Sequence, residues 1–104
     1  MEGAIGGGFS IHRRGMLANR HVAEFGIFLV DAFRGAGIGR RLLEICEIWA
    51  RIHGVLRIEM PVFAHNERAQ RLYRSMGYEI EGYERRAIRF PEGFVDEIRM
   101  AKLL

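Results

Sequence analysis

The run with the clearest chemistry is Arg34-Gly35-Ala36-Gly37-Ile38-Gly39-Arg40. Glycines carry no Cβ, so successive backbone N–H groups can curl around an anion. A strand-like apolar run, Phe25 to Val30, leads in and a helical pattern leads out. The new helix adds the positive end of its dipole and its orphan N–H donors, so the expected guest is a phosphate or pyrophosphate. A nucleotide P-loop would need Lys and a hydroxyl after its last glycine, but Gly39 is followed by Arg40, Arg41 and Leu42. The dinucleotide spacing G-x-G-x-x-G fails as well, because Arg40 stands where its third glycine belongs. What remains is R-x-x-G-x-G.

Other chemistry is excluded by type and spacing. His12, His21, His53 and His65 have no H-x-x-x-H or Cys/His ligand spacing, so no metal is expected. Ser10 and Ser75 lack a nucleophile-elbow context. Cys46, the one cysteine, falls among apolar positions of a helix and reads as a buried structural thiol. Tyr73, taken alone, is an aromatic on an apolar helix face, and Asn66 is an N-cap.

The elements that position these residues follow from periodicity. Ala4 to His12 reads as a glycine-weakened strand and His21 to Val30 as its antiparallel partner across a turn at Asn19-Arg20. From Gly37 to His53, Ile38, Leu42, Ile45, Cys46, Trp49 and Ile52 recur at helical spacing, with Gly54 as the cap. Val55 to Phe63 reads as a buried strand with Leu56, Ile58, Met60 and Val62 on one face. Asn66 then caps a helix from Glu67 to Met76, whose apolar face is Ala69, Leu72, Tyr73 and Met76, ended by Gly77. Tyr78 to Phe90 and Phe94 to Leu103 form a closing hairpin around Pro91-Glu92-Gly93. The strand-helix-strand unit implies parallel pairing, so the fold class is α/β with a mixed sheet and two helices. No repeat or linker divides residues 1–104, which read as a single domain.

Composition sets the outer limits. Hydrophobic residues make up 49% of 104, enough for one core. There is no run of eighteen apolar residues and no signal-peptide pattern, so the expected location is cytoplasmic, with no membrane partner. The net charge is +3 and every basic residue except Lys102 is arginine. These arginines alternate with Glu and Asp and form no aromatic-interleaved stripe, which argues against nucleic acid as a partner and leaves phosphate attraction as the simpler account.

The glycine loop resembles the pyrophosphate loop of the GNAT superfamily of N-acetyltransferases. A second segment supports the likeness: Asn66-Glu67-Arg68-Ala69-Gln70-Arg71-Leu72-Tyr73-Arg74-Ser75-Met76-Gly77-Tyr78 is similar to that superfamily's N-x-x-A-x-x-L-Y-x-x-x-G-[FY] signature. The resemblance covers the chain from about Glu2, and its closing segment is similar to the ribosomal-protein N-acetyltransferases. It implies acetyl-CoA as cosubstrate, bound by the loop from Arg34 to Arg40 and by the backbone of Ile27, Phe28 and Leu29 along the pantetheine arm. A bulge in that strand is implied to splay it from the next and open a slot. Tyr73 corresponds to the acid that protonates the leaving thiolate, and the Asn66 side chain to one that reaches the cofactor arm.

Two departures accompany the likeness. Family members open with further N-terminal strand and helical elements, so this chain reads as an N-terminally shortened version. The ribosomal-protein enzymes carry a Glu five residues before the signature Asn, where this chain has Pro61. The base then falls to Glu59, one pleat earlier on the same strand face, or to Glu24 on the strand before the loop, directly or through water. A paired structural carboxylate is the alternative for both, and His65 is a third candidate. The expected function is direct acetyl transfer to a primary amine, a protein N-terminus or small amine. The alternative is a CoA-binding sensor or interaction domain without catalysis. The glycine-rich first strand, left at the sheet's edge, predicts a homodimer.

Overall fold

A computed structural model describes residues 7–13, 15, 17–29 and 37–104. In chain order the elements are β1 (Gly7–Arg13), a 3-10 turn (Leu17–Asn19), β2 (Val22–Leu29), α1 (Ile38–Ile52), β3 (Arg57–Phe63), α2 (Glu67–Ser75), β4 (Glu79–Phe90) and β5 (Gly93–Leu103). The sheet runs β1-β2-β3-β5-β4. β2 and β3 are parallel and every other neighbouring pair is antiparallel, which is the expected mixed sheet with two helices.

Both crossovers, β2-α1-β3 and β3-α2-β4, place their helices on one face of the sheet. The helices meet there, where Arg40 Nη2 of α1 donates to Ser75 Oγ of α2 at 2.7 Å. Period-two alternation divides the strands accordingly. Ile58, Met60 and Val62 lie beside Lys102, Met100 and Ile98 under the helices, whereas Glu59, Pro61 and Phe63 lie beside Ala101, Arg99 and Glu97 on the other face. Ala23 and Phe25 of β2 complete the buried layer with Leu43, Cys46 and Tyr73 from the helices.

The apolar face expected for α1 requires correction. Gly39, Leu43, Cys46, Glu47 and Ala50 are the buried residues. Ile45 and Ile52, assigned inward from the sequence, are 53% and 74% exposed, and Ile48 joins them outside. At roughly 100° per residue, positions 39, 43, 46, 47 and 50 fall in one stripe, and a charged residue at its centre hides that stripe from an apolar count. Glu47 is tolerated because Tyr78 Oη donates to Glu47 Oε2 at 2.8 Å and Lys102 Nζ to Glu47 Oε1 at 3.0 Å. Leu56 is likewise exposed: it precedes β3, and because Leu56 N and Arg57 N both donate to His21 O, the strand alternation does not extend back to it.

Helix ends follow their sequence signals. Gly54 has φ +75 just past the His53 C-cap of α1, the left-handed geometry that glycine permits. Asn66 Oδ1 accepts from Ala69 N at 3.1 Å and caps α2. The hairpin turns at Pro91 and Glu92 as expected.

Candidate active site

The parallel pair β2–β3 is the central feature of the site. Its register runs Val22–Arg57, Ala23–Ile58 and Glu24–Glu59, then stops, although β2 continues to Leu29 and β3 to Phe63. Past that fork the two strands part and leave main-chain groups facing a slot. The reason lies in β3. Arg57 N donates to His21 O at 3.1 Å on the β2 side, and Ala64 N to Asp96 O at 2.9 Å on the β5 side. Alternation therefore turns the amides of odd-numbered β3 residues toward β2. The first such position after Glu59 is Pro61, which has no N–H to give, so the ladder loses its next bond where proline stands.

The bulge expected in β2 is absent from the β1–β2 ladder, whose register is unbroken from Gly7–Leu29 to Arg13–Ala23. The strands splay on the β3 side alone. By the same alternation, main-chain groups of Ile27 and Leu29 face the slot and those of Phe28 face β1.

The glycine loop enters at the start of α1. Arg34, Gly35 and Ala36 lie outside the described residues. Gly37 is the N-cap with φ +77 and offers no side-chain cap. Among the described residues the helix's own ladder begins with Arg41 N donating to Gly37 O at 3.0 Å, and the amides of Ile38, Gly39 and Arg40 have no partner there. No acidic residue occupies this first turn. An anion here meets the N–H donors of this first turn, the helix dipole and the Arg40 guanidinium held against Ser75.

Tyr73 projects from α2 into the core, 6% exposed, with its ring centroid 6.2 Å from that of Tyr78. Among the described residues its hydroxyl has no hydrogen-bond partner. Burial pushes its pKa up, so the phenol keeps its proton at neutral pH. Asn66 spends its Oδ1 on the helix cap.

The two carboxylates singled out from the sequence meet at the fork, as register partners on the face away from the helices. A third residue joins them. Arg99 of β5 places Nη1 3.5 Å from Glu24 Oε2 and Nη2 3.8 Å from Glu59 Oε1. Arg57 Nη2 lies 3.4 Å from Glu59 Oε2 and 2.6 Å from Glu81 Oε1 of β4. Glu97 stands two residues before Arg99 on the same face, with Phe63 of β3 on one side and Glu84 of β4 on the other. Burial raises its pKa first, then the charges of Glu84 and Glu24, while Arg99 opposes them. Sequence reasoning missed Arg99 and Glu97. Their signal was present as charges alternating with Ile98 and Met100 in a strand that pairs on both edges. His65 lies apart from these ion pairs, its ring stacked on Phe63 at 5.6 Å.

The remaining candidates are structural in position. Cys46 is buried, and both desolvation and Glu47 raise its thiol pKa, which disfavours a thiolate. Among the described residues no group of His, Cys, Asp and Glu could hold a metal, and no helix is long and apolar enough to cross a membrane.

Comparison with known proteins agrees with this geometry. The L-amino acid N-acetyltransferase AaaT of Escherichia coli is 32% identical over 99% of this chain and 64% of its own length. The structure of a ribosomal-protein-alanine N-acetyltransferase from Brucella melitensis superposes with a TM-score of 0.85 at 29% identity, covering 95% of this chain and 62% of that one. The acetyltransferase yncA from Salmonella typhimurium, solved with its cofactor acetyl-CoA, has the same fold, with a TM-score of 0.85 at 23% identity over 95% of this chain and 58% of that one. The chain thus spans about three fifths of the length of these relatives. Residues 2–78 match the acetyltransferase (GNAT) family. With loop, slot and second signature in the family's order, the chain belongs to the GNAT acetyltransferases, whose cosubstrate is acetyl-CoA.

Proposed function

We propose that residues 1–104 work as one acetyl-CoA-binding domain that transfers the acetyl group directly to a primary amine. The observation that carries this reading is the β2–β3 slot, which opens at the Glu24–Glu59 fork on the strand that precedes α1 in the chain. The pyrophosphate rests on residues 34 to 40, the arm lies along Ile27 to Leu29, and the thioester sits near the fork. An ammonium acceptor arrives from the open face, where carboxyls outnumber guanidiniums. There Glu24 and Glu59 attract it, and it loses one proton to a carboxylate, directly or through water. The N–C bond then forms, the C–S bond breaks with its electron pair passing to sulfur, and Tyr73 gives its proton to the thiolate. The second nitrogen proton returns to the Tyr73 phenolate through solvent. A free amino acid and a protein N-terminus both fit this polar face, and the names of the relatives point to the same two acceptor classes.

Pro61 supports the second reading, a CoA-binding domain without transfer, because it removes the carboxylate from the position where the resemblance puts the base. One comparison separates the two. Calorimetry with acetyl-CoA is run beside acetyl transfer to L-amino acids, an alanine-terminated peptide and simple monoamines. Micromolar binding with turnover supports the enzyme, and binding without turnover supports the sensor. Loss of both defeats the slot as a CoA site.

The domain is further proposed to act as a homodimer in the cytoplasm. Among the described residues β1 is an edge strand, and Ile45, Ile48 and Ile52 form an exposed apolar stripe on α1. Sedimentation at tens of micromolar (roughly the range where specific dimers persist) is expected to give the dimer mass. A monomer alone would reject it.

A further inference from the structure

The acceptor's proton has to leave on the open face, near the fork. At the position where the resemblance puts the base, Pro61 offers a ring and no side-chain lone pair. Carboxyls on this face include Glu24, Glu59, Glu81 and Glu97, with the exposed Glu84 beside Glu97 on β4.

Three of them are committed. Glu24 faces Arg99 at 3.5 Å, Glu59 faces both Arg99 and Arg57, and Glu81 accepts from Arg57 at 2.6 Å. Protonating any of these neutralises half of an ion pair and leaves a guanidinium with one fewer counter-charge. Such groups hold charge in place and are poor stations for a proton.

Glu97 differs. Among the described residues it makes no ion pair. The charged groups facing it are Glu84 from β4, Glu24 from β2 and Arg99 on its own strand, and from β3 it meets Phe63, on which the His65 ring stacks. Protonation of Glu97 relieves repulsion from Glu84 and Glu24 and removes the cost of holding a half-buried charge, the two causes that raise its pKa. A carboxyl shifted upward is better matched to an amine whose ordinary pKa is near ~8.

We propose that Glu97 is the proton acceptor of the acetyl transfer: a β5 carboxyl on the open face, opposite Phe63 of β3, left without an ion pair among the described residues while Arg99 ties down Glu24 and Glu59. Glu97 carboxylate takes one proton from the acceptor ammonium, giving the neutral amine and a carboxylic acid. The nitrogen attacks, and Glu97 returns its proton to solvent after the product leaves. Glu24 and Glu59 attract the ammonium and fix Arg99. This rests on the acetyl-transfer reading above and names, within it, the group that receives the proton.

The test uses the whole chain with acetyl-CoA and the best acceptor of the amine panel. Wild type is compared with Glu97→Gln, Glu97→Asp and Glu59→Gln across pH. Glu97→Gln is expected to lower kcat/KM by about a hundredfold or more near neutral pH. Its deficit shrinks at alkaline pH, where the amine arrives deprotonated, and its KM for acetyl-CoA is unchanged. Glu97→Asp recovers part of the rate. Because the ionised carboxylate is disfavoured in the fold, Glu97→Gln is also expected to raise Tm at pH 7. A Glu97→Gln profile that keeps the wild-type acid limb overturns the proposal, and so does an acid limb that disappears only in Glu59→Gln. If wild type acetylates no amine of the panel, the transfer reading itself fails. Carbon-13 NMR titration of the carboxyls then still decides the present point. Glu97 titrating above Glu24 and Glu59 upholds it as the proton-exchanging group, and titration with or below them overturns it.

Discussion

The two faces of the central strands treat carboxylates in opposite ways. Under the helices, Glu47 is 6% exposed and both of its oxygens are taken, one by Tyr78 and one by Lys102. On the open face, Glu24, Glu59 and Glu81 share two guanidiniums and Glu97 has none among the described residues. A buried charge is kept only where it is fully paired, and it then serves as a joint between α1 and the β4–β5 hairpin. On the open face Glu59, 8% exposed, is held in the same way by Arg57 and Arg99, and the slack lies with the less buried Glu24, Glu81 and Glu97, one of which can change protonation without loosening the fold.

The largest effect that sharpens this contrast is on stability. Glu47→Ala leaves the buried Tyr78 hydroxyl without its acceptor and the partly buried Lys102 ammonium without its counter-charge, so unfolding by urea is expected to cost about 3 kcal/mol less than in wild type. That is a large share of the stability of a domain this size. Removing an exposed open-face carboxylate such as Glu81 is expected to cost far less. Equal losses on the two faces would erase the distinction between joint and relay.

Next in size is the one helix-face group assigned to chemistry. Tyr73→Phe keeps the ring against Tyr78 and removes only the hydroxyl, which has no hydrogen bond to lose among the described residues. Turnover is expected to fall by roughly two to four orders of magnitude with acetyl-CoA affinity and Tm nearly unchanged. Wild-type turnover in this variant would leave Tyr73 as a core aromatic and confine the chemistry to the open face.

How much of this was legible in the sequence differs between the faces for a physical reason. The helix side follows local rules: Asn66 caps, Gly54 and Gly77 terminate, and Ile58, Met60 and Val62 alternate inward, each readable from its neighbours. It failed where a non-local partner decided the outcome. Nothing near Glu47 announces Tyr78 and Lys102, so apolar spacing alone draws Ile45 and Ile52 into the α1 stripe beside Cys46 and leaves Glu47 out. On the open face the candidates Glu24 and Glu59 were visible as residue types, but their register was not, because parallel pairing joins positions 35 residues apart. Arg99 and Glu97 come from a still more distant strand. Pro61 was read as a lost base, and its second effect, ending a ladder, required knowing which way its missing N–H pointed.

A smaller effect probes the anion end of the slot. Gly37 has φ +77, and a Cβ built there meets nothing within 4 Å, so any penalty comes from backbone strain and not from a clash. Gly37→Val therefore pushes the N-cap out of its left-handed conformation, worth about 1–2 kcal/mol. Acetyl-CoA affinity measured by calorimetry is expected to fall about tenfold as the amides of residues 38 to 40 turn away. Unchanged affinity in a folded variant would move the phosphates off this loop.

The smallest effect tests the slack of the open face itself. Arg57 hydrogen-bonds Glu81 and holds that carboxyl below its usual pKa, yet the Glu81 side chain is 44% exposed. Water and salt screen such a pair, so Glu81→Gln is expected to cost less than about 1 kcal/mol at pH 7. The sign of its pH dependence is fixed by the direction of the shift. A carboxyl whose folded pKa is depressed contributes stability above its unfolded pKa and loses it as pH falls through the folded value. Urea midpoints of wild type and Glu81→Gln should therefore differ slightly at pH 7, differ less in high salt, and converge as pH falls through the folded value, below the ordinary glutamate range. A gap that widened on acidification would mean that Glu81 is a joint like Glu47, and the open face would then have to be redrawn as part of the framework.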